Sequence, residues 1–475
     1  MLNVRPELNV LTPEQIEKVH ADALKVLWET GITVDDPDAK ARLEKAVGST
    51  SEDGRVRIPR SLVQWAIDAA PNTIDVFDRT GEVAFKLDGN GMDSPVFGVG
   101  VTNLRFQDPA TGDISAFSRA NMSTAAGLAN SLDGFDFLST PGVIQDLPAE
   151  AADSVGLLEM IANTTKPIVM LISDWDGFVP ALDLCEHLHP QLYDRPFVIP
   201  YLNPITPLVL NAETTMKMDA AIERGLPFIF SNYGMSGATC PITPAGTLVV
   251  LTAELLAGLV YSQLVKEGTP VILGSLPAAF DMKQAGSFYS PHTLLLNLAC
   301  AELMSHYKIP HCGTSGSSNG WGADLLSGTT LLINHLTSGL GKVGMVPFVG
   351  GCFDSLVFSP ELVVYADDVI CQANTFASGF SLDDAMVGFA DIDTMGPGGN
   401  YLMSTLTAQN FKSSQFSSRI WPFMSIDKWQ AQGAPSAQKV LREKTCSLVE
   451  NPELPQDHKE ILEKGEAFLK NLGIF

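Results

Sequence analysis

A parallel (β/α)8 barrel, the TIM-barrel architecture, is the fold class this sequence predicts, and three observations predict it. Short apolar runs bounded by proline or glycine recur along most of the chain. They number about eight and lie roughly 30 to 45 residues apart, the length of one strand, loop and helix unit. They are apolar almost without interruption rather than alternating, which marks strands buried on both faces.

The elements follow in order. Thr12-Pro13-Glu14-Gln15 opens the first helix, with Thr as cap, Pro at the first helical position and Gln15 completing a capping box ahead of Ile16, Val19 and Ala23. Two further helical patterns end at Val47-Gly48 and at Ala70-Pro71, and Thr73-Ile74-Asp75-Val76-Phe77 then alternates as a strand does. Residues 1–115 therefore read as a helical and β-hairpin extension, with the barrel over 116–424 and charged C-terminal helices over 425–475. The predicted strands are Phe135–Leu138, Ile168–Ile172, Phe197–Pro200, Phe228–Phe230, Val271–Leu273, Ile309–Cys312, Val346–Val349 and Met386–Phe389. Among the helices, Gly246 to Gly268 is apolar nearly all round, which predicts burial and a place in a subunit contact.

Composition narrows the function. The chain has 475 residues, 45% hydrophobic and 18% charged, more than the roughly 250 of a bare barrel. Acidic residues outnumber basic ones 54 to 30, a net charge of -24 that disfavours nucleic acid as a partner. The N-terminus lacks the pattern of a secretory signal and no run approaches a membrane span, so a cytoplasmic protein without membrane attachment is expected. Seven scattered cysteines with no C-x-x-C pair do not suggest a disulfide framework.

Active sites of barrels are built from the loops after the strands. Those loops are rich in aromatic, glycine and small polar residues and poor in Lys, Arg and His, which favours a neutral or cationic ligand over a phosphate ester. Phe97, Trp175, Tyr201, Tyr233, Trp321 and Phe353 could form an aromatic cage for an ammonium group, or could simply pack as core and loop anchors. Asp174, Asp176 and Asp354 could place negative charge near a cation, or cap the helices that follow. Gly313 to Gly322 (GTSGSSNGWG) is too irregular for a dinucleotide fingerprint or a P-loop and suits either close approach of something large and flat or a surface loop. Cys185, His187 and His189 are the one metal-like cluster, without a convincingly spaced further ligand, so no bound metal is expected.

Three segments carry a resemblance: ALKVLWETGITVDDPDAKARLEKA, SGATCPITPAGTLVVLTAELLAGLVYSQLVKEGTPVILG and GPGGNYL at 396–402. Together they resemble the trimethylamine methyltransferase family, in detail its branch without pyrrolysine, the glycine betaine-type quaternary amine:corrinoid methyltransferases. The resemblance implies a barrel that moves a methyl group from a quaternary amine to Co(I) of a corrinoid (cobalamin) held by a separate carrier protein, and a homo-oligomer is expected. Gly350-Gly351 stands, by position, where founding members insert pyrrolysine. No such residue is needed for a quaternary ammonium, which already leaves as a neutral tertiary amine. No acid, base or nucleophile of the protein is then required, and its task is positioning and exclusion of water.

On that reading Phe97, Tyr201, Asn203, Tyr233, His311, Trp321, Gly351 and Phe353 would bind substrate. Gly234, Gly313, Ser315, Gly316 and Gly350 would face the corrinoid. A betaine carboxylate would be received by loop N–H groups, Asn203, Asn232 or His311. Met403-Ser404-Thr405 after GPGGNYL departs from the His that relatives carry there, so the choice among glycine betaine, proline betaine, carnitine, butyrobetaine and choline stays open. A barrel lyase or aldolase, a betaine-binding protein without catalysis, and zinc-assisted methyl transfer are the competing readings.

Overall fold

The computed structural model describes residues 2–314, 316–412 and 414–474. Eight parallel strands close into a barrel: β1 (Val96–Val99), β2 (Phe137–Ser139), β3 (Ile168–Met170), β4 (Val198–Leu202), β5 (Phe228–Ser236), β6 (Val271–Asp281), β7 (His311–Gly313) and β8 (Met345–Val349). The sheet runs β5-β4-β3-β2-β1-β8-β7-β6 and is shut by the β5–β6 pairing, in which Phe228 to Ser236 run beside Val271 to Ala279. A helix follows each strand around the outside, from Arg119–Asn130 after β1 to Pro360–Ser378 after β8.

Seven of the eight predicted runs overlap these strands. The eighth does not. Met386–Phe389 is split by Gly388, which adopts φ 62 between the short helices Asp384–Val387 and Phe389–Met395, and Phe389 is 72% exposed. A short apolar run does not by itself distinguish strand from helix. The missing strand is β1, inside the stretch read as an extension. Gly98 interrupts its apolar pattern, and the reason is steric: a Cβ there would lie 2.2 Å from the Phe137 ring.

The N-terminal expectations agree with the structure more closely. Thr12 and Gln15 form the reciprocal capping box of helix Pro13–Lys25, and Gly48 ends helix Pro37–Val47 at φ 77. Thr73–Phe77 pairs with Val83–Asp88 as a hairpin across the N-terminal end of the barrel, where Phe77 N–H donates to Pro196 and Arg79 N–H to Thr165, just ahead of β4 and β3. Ile74, Val76 and Leu87 complete the barrel's internal apolar cluster from below. Packing, not a channel, therefore closes that end.

The helix Pro244–Val265 is long and apolar enough to cross a membrane, yet it is largely buried within the chain itself. It packs between the barrel and the N-terminal helices. The burial agrees with the expectation, and most of the helix surface is consumed within the chain. The C-terminal helices Ala437–Glu450 and His458–Asn471 lie against the barrel helices, fastened by Arg442 to Glu361, Arg119 to Glu159 and Glu466, and a two-pronged Arg79–Asp457 pair.

Candidate active site at the barrel mouth

Alternation along each strand decides which side chains enter the barrel. Val96, Phe137, Val169, Ile199, Ile229, Ile272, Cys312 and Met345 fill its lower interior, and Tyr201, Leu276 and Phe348 belong to the same cluster, with Tyr233 packed against it. The inward positions of β4 and β5 at the C-terminal end are Tyr201, Ser231 and Tyr233. The Tyr201 hydroxyl donates to Ser231 Oγ at 2.7 Å, and Asn203 Nδ2 donates to the Ser231 carbonyl at 2.8 Å. The Tyr201 ring meets Phe348 edge-on, centroids 5.1 Å apart. Burial pushes the Tyr201 phenol well up, so it stays a neutral donor.

Above this layer the Tyr233 hydroxyl lies beside Ser287, on the strand Gly286–Phe288 that folds back from β6. Ser287 Oγ in turn donates to Asp354 Oδ2 at 2.9 Å. Asp354 comes from the loop after β8 through an unusual backbone. Phe353, Asp354 and Ser355 are consecutive non-glycine residues at φ 50, 55 and 69. Each such conformation costs about 1–3 kcal/mol unless the surroundings enforce it. Here they do: Phe353 N–H donates to Gly320 and Asp354 N–H to Ser318, knitting this loop to the one after β7. Asp354 Oδ1 is buried without a hydrogen-bond partner, and burial raises the carboxyl above its ordinary value.

The structure gathers some predicted residues and disperses others. Tyr201, Asn203 and Tyr233 converge on the mouth. Phe97 points outward and meets the ring of His335 edge-on at 5.1 Å, so it is core, not cage. His311 also points outward; a Cβ on Gly313 would touch both its ring and Asn297 of helix Pro291–His306. Burial lowers its pKa to about 3, leaving it neutral and unable to receive a carboxylate as a cation. Asn232, likewise outward, bonds Leu251 and Glu254 of the Pro244–Val265 helix. Phe353 packs against the outer core.

Trp321 is 67% exposed and lines a separate groove of about 700 Å³ with Tyr365, Trp421, Glu361 and Arg442.

The glycines expected to admit a corrinoid are occupied from behind. A Cβ on Gly234 would strike Leu251 and Cys240, one on Gly316 Val349, and one on Gly350 Val363; Gly313 is closed by His311. They let strands and helices approach each other and form no cradle for a flat cofactor. Gly351 faces Ser317 and Asn103 in a polar corner, and Ser315 lies outside the described residues. Among the described residues no group of three or more His, Cys, Asp and Glu could hold a metal ion. Cys185 is buried in helix Trp175–Leu188 while His187 stacks on Phe468.

Sequence reasoning missed Ser231, Ser287 and Phe348. Strict alternation outward from Tyr201 and Tyr233 would have found Ser231; Ser287 and Phe348 reach the mouth only through the fold-back after β6 and the irregular pairing of β8.

A closed parallel barrel with aromatic and hydroxyl side chains converging at its C-terminal mouth is the build of a small-molecule barrel enzyme. Comparison with known proteins makes this specific. The chain belongs to the trimethylamine methyltransferase (MTTB) family, whose sequence model matches residues 1–471, and it is therefore a methyltransferase of that family. It is 24% identical to the trimethylamine methyltransferase MttB of Methanosarcina thermophila, over 97% of each chain. It is 25% identical to the glycine betaine methyltransferase of Desulfitobacterium hafniense strain Y51, over 98% of each. In solved structures the fold matches the monomethylamine methyltransferase MtmB of Methanosarcina barkeri, with TM-score 0.55 at 9% identity, covering 98% of this chain and 89% of that one.

Proposed function

We propose that this protein transfers a methyl group from a quaternary ammonium compound, of the class that includes glycine betaine, other betaines, carnitine and choline, to the Co(I) of a corrinoid presented by a carrier protein. The observation that carries the reading is the pairing of Tyr201 and Tyr233, with Phe348, at a mouth whose strands offer no cation. His311 is the only Lys, Arg or His on the eight barrel strands, and it faces away. Aromatic faces suit an ammonium group. The likeness to a glycine betaine methyltransferase over nearly the whole chain supports the same substrate class.

In the transfer, the methyl carbon takes the electron pair of Co(I) as the C–N bond breaks. The C–N pair stays on nitrogen, which leaves as a neutral tertiary amine, and no proton moves. Nitrogen loses positive charge on the way, so a contact of moderate strength catalyses better than a tight ion pair at nitrogen. The chain's share is to hold the amine against the rings and keep water out. The corrinoid enters as a second substrate. We further place the enzyme in the cytoplasm, in keeping with seven free cysteines, with neither nucleic acid nor membrane as partner, and assembled from copies of itself.

The test is methylation of reduced cobalamin, followed by its visible spectrum, with a panel of quaternary amines and trimethylamine. Methylation by one or more quaternary amines and none by trimethylamine is expected. No reaction with any amine from folded protein would remove the reading.

A further inference from the structure

Asp354 is a half-buried acid for which methyl transfer itself has no use. The loop after β8 spends three left-handed residues to bring it to the mouth. One of its oxygens accepts from Ser287, which stands beside Tyr233; the other is buried and unpartnered. A buried acceptor without a donor is costly, and a ligand hydroxyl that displaces the cover over Oδ1 and donates to it removes that cost. Two of the groups expected to receive a substrate carboxylate are meanwhile elsewhere, since His311 and Asn232 face the outer helices; Asn203 stands at the mouth and gives one of its two Nδ2 hydrogens to the Ser231 carbonyl.

We propose that Asp354 reads the far end of the substrate, so that the site takes a choline-type quaternary amino alcohol and discriminates against a betaine. This rests on the quaternary amine reading above. The substrate hydroxyl donates to Asp354 Oδ1 while the ammonium lies against Tyr201, Tyr233 and Phe348. A hydroxyl there supplies the missing donor; a carboxylate supplies none and brings a second negative charge into a site with no cation on its strands. The carboxylate contact is made to the neutral end, which does not change charge during transfer, so it anchors substrate without opposing the loss of charge at nitrogen.

The experiment is calorimetric binding of choline, glycine betaine and tetramethylammonium to the full chain, wild type and Asp354→Asn. Asparagine tolerates the left-handed backbone, so this variant keeps the loop; Ser287→Ala provides a second one. Wild type is expected to bind choline at least about tenfold more tightly than glycine betaine. In Asp354→Asn that ratio falls towards one, tetramethylammonium is held as before, and Ser287→Ala shifts the ratio less. Equal or tighter binding of glycine betaine by wild type, an unchanged ratio in Asp354→Asn, or no binding of choline would each overturn the proposal. Methyl transfer from the same compounds to reduced cobalamin scores the underlying reading separately. Transfer without discrimination removes only the role of Asp354, and selective binding without transfer removes only the methyltransferase chemistry.

Discussion

The hydroxyl of Tyr201 and Oγ of Ser231 lie 2.7 Å apart on inward positions of adjacent strands, so the floor of the mouth is set by a bond across the barrel wall. Tyr201→Phe keeps the ring and loses the bond. It is expected to cost about 0.5–1.5 kcal/mol of stability, read from the denaturant midpoint, with amine binding nearly preserved. Tyr201→Leu removes the ring face and is expected to weaken amine binding about tenfold or more in titration calorimetry. Equal binding by the two variants would remove Tyr201 from the cage.

Gly98 and Phe137 test the barrel itself. Gly98→Ala places a methyl 2.2 Å from the Phe137 ring at the β1–β2 seam. The ring cannot move without disturbing the internal cluster, so a loss of about 1–3 kcal/mol is expected in chemical denaturation. A neutral effect would mean that this seam is looser than the structure places it.

Glu254 ties the loop after β4 to β5, accepting from Thr206 Oγ1, the Leu208 N–H and Asn232 Nδ2. Burial is the main cause that raises its pKa from 4.5 to about 7. The folded chain therefore holds a proton that the unfolded chain has already released between these values. Stability from this group is present below the lower value and is lost as pH climbs through the upper one. Glu254→Gln is expected to gain stability relative to wild type between about pH 5 and about pH 8. The difference in unfolding free energy, measured across that range, checks the sign.

His311 and His335 work in the opposite direction. Both are buried without hydrogen-bond partners, and burial lowers each from 6.5 to about 3. Below the upper value the unfolded chain takes up protons that the folded chain refuses, so stability falls steadily as pH drops towards the lower one. Replacing both by Met is expected to flatten this acid limb in a pH series of denaturant midpoints, whatever its effect at neutral pH. An unchanged limb would place its cause in other groups.

Self-assembly has its own signature. The helices between Asp384 and Ala431 bury none of their residues, yet Phe389, Leu402, Met403, Phe423 and Ile426 are each more than 70% exposed. Apolar surface on that scale marks an interaction site. Light scattering is expected to give a multiple of the chain mass, and Leu402→Asp with Phe389→Asp to shift it towards the single chain. A monomeric wild type would leave that surface to another partner.

Legibility differed between fold and site. Seven barrel strands were readable because a strand buried on both faces must be apolar along its whole length, and Thr12 with Gln15 could be read as a cap because that bond is local. Strand β1 was hidden by Gly98, whose reason is the ring of Phe137, distant in sequence. Tyr201 was found because it follows directly on an apolar run, and Tyr233 because it lies in the short loop segment after one. Phe97 and His311 were misassigned, since one residue of register decides whether a side chain enters the barrel or meets a helix.

By itself, then, the sequence determined the barrel class, the helical surround, the poverty of the mouth in positive charge and the family to which the chain belongs. The first three are properties of composition and of spacing along the chain; the family is carried by the three segments that resemble it. Only the tertiary structure decided that the glycine-rich loops are packing surfaces, that Trp321 lines another groove, and that Ser231, Ser287, Phe348 and Asp354 share the mouth with the two tyrosines. The reason is physical: the mouth is assembled from strands and loops distant in sequence, held by contacts such as Tyr201 to Ser231 and Ser287 to Asp354, and neither partner in such a pair carries a local mark of the other.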